Sequence, residues 1–331
     1  MLQLVEAHGA LLEEILRGTF PTWHDQLSWE AYGRFWRAQL KTPWGRSRLR
    51  RVALVDGPHL LASLKIYDFD AVLDGRPVGV CGLGAVFTPV AQRGHGYARQ
   101  LIERVLDDAA ATGQRLALLF SEIGIDYYAR IGFVEVPAWD ATFRVQPPPP
   151  HRGAPATLVR AGDDRDLDAI VTLGRTRAAA FRFHFDRDRA LIHYALAKQR
   201  LRAGLAPRGT RALEFFVAEE GTQPAAYVML AVEQGTWTIL ECGDRDPTGA
   251  RIGAMMQVLL AREPGETAPL VVGRLPGRLV PPQMQVVSRH APLAPDGTGS
   301  TETMMIRPLG GVSLTPPIGD DDVLYWRSDL F

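Results

Sequence analysis

Residues 92–106 read QRGHGYARQLIERVL, with Gly94, Gly96 and Ala98 at alternate positions directly ahead of an amphipathic run. Glycine adopts backbone angles closed to other residues and lets the main chain approach a ligand with no Cβ in the way. A glycine-rich turn between a strand and a helix gathers unpaired amides at the positive end of the helix dipole, a generic site for phosphate oxygens. The plainer reading is that the glycines only serve a tight strand-to-helix turn. Two phosphate patterns are excluded. The dinucleotide fingerprint needs a small residue at position 99, where Arg99 stands, and the nucleoside triphosphate loop needs a G-K-[ST] run that does not occur.

A second chemical cluster lies in SEIGIDYYARIGF, residues 121–133. It holds the Glu122 carboxylate and two adjacent phenols, Tyr127 and Tyr128, and paired tyrosines can divide core and site duties. Each has a plainer reading too: Glu122 as a solvated or ion-paired carboxylate, Tyr128 as a packing aromatic. Asp126 reads as the cap of the short helix that holds Tyr128. FRFHF at 181–185 reads as core or pocket wall, and the eight histidines and two cysteines show no metal spacing, so no metal is expected.

The elements that must position these residues can be read from periodicity. A helical region covers about residues 1–40, with Ser28 as a plausible N-cap of LSWEAYGRFWRAQL. RRVALVD and LLASLKIYDFDAVL read as strands, and VGVCGLGAVFTPV as a β-rich run that Pro89 ends. In the helix after the glycines, Ala98, Leu101, Ile102, Val105, Leu106 and Ala109 form one buried stripe, and Gly113 stops it. RLALLFSE is a buried strand, DYYARIG a short helix and FVEV a strand, which makes a mixed α/β domain. QPPPPHRGAP at 146–155 can continue neither helix nor sheet. The expected division is residues 1–146, a linker at 147–155, and residues 156–331. Beyond the linker, helix, helix, strands, helix and strand recur, which suggests an internal duplication.

Composition limits the function classes. Lys plus Arg equal Asp plus Glu at 37 each, so the formal net charge of zero argues against nucleic acid or an anionic membrane as partner. The 331 residues are 46% hydrophobic, ordinary for a globular protein with real cores. No stretch approaches the roughly 18 consecutive apolar residues that span a bilayer. The N-terminal MLQLVEAHGALLEEILRGTF lacks a basic region and an unbroken apolar core, so it does not read as a signal peptide. Cys81 and Cys242 lie far apart in apolar segments, forming neither a disulfide framework nor a metal site. A reduced cytoplasmic protein is expected.

VFTPVAQRGHGYA followed by SEIGIDYYARIGF resembles the two signature segments of the GCN5-related N-acetyltransferases, the GNAT superfamily. The coenzyme A loop of that family, Q/R-x-x-G-x-G/A, is matched by Gln92, Gly94 in a shifted register, Gly96 and Ala98. Its F-Y-x-x-x-G-F segment is matched by Tyr127, Tyr128, Ile131, Gly132 and Phe133. The wider first half is similar to bacterial relatives of the fungal lysine N6-acetyltransferases. The two-part organisation is similar to the aminoglycoside-modifying enhanced-intracellular-survival group.

The resemblance implies two GNAT-like mixed α/β domains in tandem, the second degenerate, with acetyl-CoA as co-substrate. It implies that the backbone of Val86, Phe87 and Thr88 pairs with the pantetheine arm. The amides of Arg93, Gly94, His95, Gly96, Tyr97 and Ala98 would hold the pyrophosphate, and Ser121 joins this coenzyme-binding set. The amide near Phe87–Thr88 would polarise the thioester carbonyl, and Tyr128 would protonate the departing sulfur. Glu122 is the first candidate for the base, and the terminal carboxylate of Phe331, used this way in the enhanced-intracellular-survival group, is another. In the second half ECGDRDPTGARIGA occupies the loop position but carries Asp244 and Asp246 where phosphates would sit, so one coenzyme per chain is expected. The expected function is acetyl transfer to a small-molecule amine, lysine-like or aminoglycoside-like, by direct attack. The competing readings are a non-catalytic acyl-CoA-binding or sensing module and a protein-amine acetyltransferase. The second half would wall the acceptor cleft or mediate self-association into a homo-oligomer.

Overall fold

A computed structural model describes residues 1–148, 158–263, 268–292 and 302–329. The chain opens with β1 (Leu2–Glu6), α1 (Gly9–Trp23), α2 (Trp29–Gln39) and α3 (Pro43–Arg48). There follow β2 (Leu49–Asp56), β3 (His59–Leu73), β4 (Arg76–Phe87), α4 (Tyr97–Ala111), β5 (Leu116–Ser121), α5 (Asp126–Ala129) and β6 (Val134–Glu135). Next come β7 (Asp140–Val145), β8 (Leu158–Ala161), α6 (Leu167–Ala178), β9 (Phe183–Phe185) and α7 (Arg189–Leu205). The chain continues with β10 (Arg211–Glu220), β11 (Gln223–Glu233), β12 (Thr236–Asp244), α8 (Ala250–Ala261), β13 (Leu270–Gly273) and β14 (Met284–His290). β15 (Thr303–Pro308) and β16 (Val323–Leu324) are the last strands.

The fold is mixed α/β with two mixed sheets. In the first unit the strand order is β1-β2-β3-β4-β5-β15-β6, and in the second β8-β10-β11-β12-β13-β7-β14. Position by position the two orders correspond. Each contains one parallel pair joined by a helix, β4–α4–β5 and β12–α8–β13, in otherwise antiparallel company. Parallel neighbours need such a crossover, because a tight hairpin can only reverse direction.

The proline segment is not where the units divide. The first unit ends at Pro137 and regains the chain up to Gly319, while the second begins at Ala138 and regains it from Asp320. The expected boundaries at 1–146 and 156–331 differ from this because each half contributes a strand to the sheet of the other. β15 lies between β5 and β6. β7 lies between β13 and β14. Residues 149–155 of the expected linker are outside the described residues. The N-terminus also differs from the expected helix: Leu2–Glu6 is an edge strand whose residues pair with Val52–Asp56 of β2. An edge position pairs on one side only, so five residues with two polar members suffice there.

Elsewhere local chemistry and structure agree. Ser28 Oγ accepts the Ala31 amide at 3.2 Å and caps α2. In α4 the residues Leu101, Ile102, Val105, Leu106 and Ala109 are buried, and they join Val52, Leu54, Leu64, Cys81 and Leu119 in one core. Truncating Leu101 to alanine there would remove about 2–5 kcal/mol of stability. A smaller cluster on the other side of the sheet packs Ala53, Val55 and Leu60 against Ile15 of α1. In the second unit Phe181, Phe183 and Phe185 are buried, so FRFHF is core. There Arg187 pairs with Glu241 at 2.8 Å and Asp329 at 3.2 Å. Glu241 also accepts from Tyr227 and Ser328, so these buried charges are paired within the chain.

Candidate functional site

The site begins where β4 leaves β5. β4 pairs with β3 as far as Ser63↔Phe87, but with β5 only from Val80↔Leu116 to Leu83↔Leu119. Beyond that point Gly84–Phe87 have no strand on the β5 side among the described residues. The register of β3 and β4 shifts between Ser63 and Lys65, so Ala85 and Val86 stand opposite Leu64 alone. Ala85 takes φ +45°. This β-bulge bends the strand and raises its twist, which accounts for the parting. The free edge of Val86, Phe87 and Thr88 therefore offers main-chain donors and acceptors to an extended amide-bearing ligand. The Val86 side chain packs on the α4 core, whereas Phe87 lies beneath α1. A Cβ added at Gly18 would come within 2.5 Å of the Phe87 ring, so α1 needs glycine at that crossing.

After β4 the chain turns through Pro89 and Gly94 into α4. Gly96 is the N-cap, with φ +78°, no side-chain hydrogen bond and no acidic residue in the first turn. Gly94 takes φ +82°, and a Cβ added at either glycine would meet nothing within 4 Å. The loop thus opens outward, and the amides of the first helical turn have no partner within the helix. Arg93 Nε donates to the Thr88 carbonyl at 3.3 Å, and the His95 ring stacks on Tyr97 with centroids 5.7 Å apart. Their side chains brace the loop, and Ala98 is half-buried at the start of the stripe. Among the described residues no carboxylate caps this turn and no side chain fills the space beside Gly94 and Gly96, while the Arg93 amide is bonded to the Val90 carbonyl at 3.3 Å.

On β5, the Ser121 hydroxyl is buried and donates to the Gly124 carbonyl at 2.6 Å. It holds the following turn, so its hydroxyl is engaged within the chain. Glu122 is half-buried and accepts from Trp23 Nε1 at 3.2 Å. Sequence reasoning missed Trp23, because the two residues are 99 positions apart and meet only when α1 crosses the sheet. Tyr128 of α5 is buried, with its ring edge-on to Tyr127 at 5.0 Å and to Phe133 at 6.0 Å. Burial raises its phenol well above the ordinary value, and the neighbouring Tyr127 phenol and Glu122 carboxylate add to that. Tyr128 and Glu122 are thus brought into electrostatic reach of one another. Asp126 does not cap α5: Ile125 holds the N-cap position without a side-chain bond, and Asp126 stands in the first turn. Beyond the C-cap Arg130 the chain turns through Gly132 at φ +85°, and the Phe133 amide donates back to the Tyr128 carbonyl at 3.1 Å. Phe331 lies outside the described residues.

The corresponding place in the second unit is built differently. Gly249 caps α8 with φ +73°, repeating the backbone of Gly96. Here, however, the buried Asp244 carboxylate accepts the amides of Asp246 at 2.8 Å, Arg251 at 3.0 Å and Ile252 at 3.2 Å. An added Cβ at Gly249 would reach 2.8 Å from Arg177, and one at Gly253 would collide with the Gln283 side chain. The first-turn amides that meet no carboxylate at α4 among the described residues are taken at α8 by the protein's own carboxylate. Among the described residues no group of three or more His, Cys, Asp or Glu is placed to hold a metal ion. No helix there is long and apolar enough to cross a membrane.

Residues 23–136 match the acetyltransferase (GNAT) domain family. The fold is similar to that of a GCN5-related N-acetyltransferase from Anabaena variabilis, at 12% identity and TM-score 0.67, covering 93% of this chain and 72% of that one. It is similar to a GCN5-related N-acetyltransferase from Kribbella flavida, at 17% identity and TM-score 0.67, covering 94% and 71%. It is also similar to Eis1 from Mycobacterium abscessus, at 15% identity and TM-score 0.55, covering 93% and 73%. No curated protein sequence matches the chain. The loop, the splayed strands and Tyr128 all lie inside the span, residues 23–136, that matches a GNAT acetyltransferase domain, and the chain that carries it is an acyltransferase.

Proposed function

We propose that this enzyme moves the acetyl group of acetyl-CoA to the amine of a small molecule by direct attack, with catalysis in the first unit. The carrying observation is the open glycine cradle at α4 beside the unpaired β4 edge, with Tyr128 and Glu122 on the elements that follow. The bound thioester would supply an activated acetyl carbonyl. The amides of Gly94 to Ala98 would receive the pyrophosphate, the Arg93 amide expected to join them being bonded instead to the Val90 carbonyl at 3.3 Å, and the backbone of Val86, Phe87, Thr88 and Ser121 would align the arm. The β4 edge amide near Phe87–Thr88 would polarise the carbonyl. Tyr128 would protonate the leaving sulfur, a role a mere binding module does not need. The test is a screen of small amines for free thiol release from acetyl-CoA. No release with any amine, from a protein that binds acetyl-CoA, would return it to the sensing class.

We read the second unit as a degenerate copy of the first, and Asp244 supports this. Calorimetry should give one acetyl-CoA per chain, because the α8 amides are already bonded. A stoichiometry near two would show that Asp244 yields its partners to phosphate. The buried free thiols Cys81 and Cys242, both pushed up to about 12 by burial, fit a reducing cytoplasmic setting. The relation to the fungal lysine acetyltransferases is part of the same proposal, and lysine-like amines lead the acceptor list.

Glu122 is proposed as the base that takes the amine proton. Glu122→Gln keeps an oxygen for Trp23 Nε1, so the fold should survive. The rate at neutral pH should fall by about 10²-fold, and the acidic limb of the pH profile should disappear. If the Phe331 carboxylate serves instead, Glu122→Gln should do little, while deleting Phe331 should remove activity without weakening coenzyme binding. Full activity in both variants would leave the proton to water.

A further inference from the structure

We propose that the acceptor carries a carboxylate a few carbons from its amine, and that the buried guanidinium of Arg51 receives it. The inference rests on the acetyl-transfer reading above and names its substrate class. Arg51 lies in β2, where Val52 and Leu54 face the α4 core and Ala53 faces α1. Strand alternation therefore sends Arg51 to the α1 side. It is 2% exposed, and none of its three guanidinium nitrogens has a hydrogen-bond partner among the described residues.

The other buried arginines are different. Arg177 donates to the Leu279 carbonyl at 2.8 Å, Arg187 meets Glu241 and Asp329, and Arg274 meets Asp320 at 3.2 Å. Arg51 alone has neither a carbonyl nor a carboxylate among the described residues. Its guanidinium carbon lies 5.2 Å from the centre of the Trp36 ring, and the Lys65 ammonium lies 4.9 Å from the same ring. The ring face attracts both cations but satisfies no in-plane N–H. Two cations against one indole repel each other, and burial lowers the pKa of Arg51. The Tyr32 and Tyr67 phenols stand beside it, and the Ser63 hydroxyl, fully buried on the same face of β3, also has no partner among the described residues. A planar fork of donors beside a hydroxyl and a second cation is the arrangement that binds carboxylate bidentately.

Its place in the sheet sets the reach. Arg51 pairs across the ladder with Lys65, Lys65 with Gly84, and Ser63 with Phe87. The cationic pair thus lies one and two strands from the β4 bulge, roughly 5 and 10 Å at ordinary strand spacing. That span suits a free amino acid acetylated on its amine. A polycationic aminoglycoside would instead bring positive charge against Arg51 and Lys65.

The test uses the full chain, acetyl-CoA and a panel of amines with and without a carboxylate: L-lysine against cadaverine, 6-aminohexanoate against pentylamine, and kanamycin. At least one carboxylate-bearing amine should exceed its counterpart in kcat/KM by about 10²-fold, the scale of a hydrogen bond to a charged group left unmade. Arg51→Gln should bring that ratio close to one, chiefly through KM. Should the variant fail to fold, glutarate added to the unaltered enzyme should compete with the amine and not with acetyl-CoA. Equal rates with carboxylate-free amines, kanamycin as the best acceptor, a ratio unmoved by Arg51→Gln, or no glutarate competition would each overturn the inference. In all four cases thiol release would still uphold acetyl transfer. Loss of acetyl-CoA binding or of all turnover would sink both.

Discussion

Gly96→Glu should bind acetyl-CoA at least about 10²-fold more weakly than the unaltered chain, a difference of about 2.7 kcal/mol. Two effects act together at this position. The backbone sits at φ +78°, where any side chain costs roughly 1–2 kcal/mol, and the new carboxylate enters space now open to the ligand phosphates. Gly96→Ala separates them. It carries the backbone strain but no charge, and its Cβ meets nothing within 4 Å, so it should lose stability and keep most affinity. Calorimetry on the two variants, with thermal melts beside it, reads both quantities. Unchanged affinity in Gly96→Glu would show that phosphate does not lie at α4.

Tyr128→Phe should keep its acetyl-CoA affinity and lose about 10²–10⁴-fold in turnover, the range for removing a positioned acid. The ring packs among Tyr127, Phe133 and the α4 core, and phenylalanine preserves that packing, so the melt should move little. The pH dependence follows from the sign of the shift. Burial disfavours the phenolate and raises the pKa from its ordinary value of 10.0, so the proton stays on through neutral and mildly alkaline solution. The unaltered enzyme should therefore show no alkaline loss of kcat from this group below about pH 10. Equal turnover in Tyr128→Phe would make Tyr128 a packing residue.

The part of the site that depends on local backbone was legible. Gly94, Gly96 and Gly132 all take positive φ, and such a demand is written in one residue type at one position. The buried stripe of α4 was legible for the same reason, since periodicity records which face is wet. Leu2–Glu6 was misread because a short run with leucines at both helical and alternate spacing suits either element, and only the neighbouring β2 decides. β15 was missed altogether, and with it the true division of the chain. Its partner β5 lies far back in the sequence, and nothing in TMMIRP names that partner.

What the sequence by itself determined is therefore the set of local groups: a glycine turn ahead of α4, a tyrosine four residues before Gly132, and a second loop that carries aspartates in place of the Arg-Gly run. Tertiary structure decided which of these groups meet. It set Trp23 on Glu122, turned Asp244 onto the α8 amides, and opened β4 from β5 at the Ala85 bulge. Arg50 and Arg51 show the reason most simply. The two are identical neighbours in RRVALVD, yet Arg50 is exposed on Asp68 at 3.1 Å and Arg51 is buried against Trp36. Alternation says that they face opposite ways, but which face is covered is decided by the helices that land there, and that is a property of the whole fold.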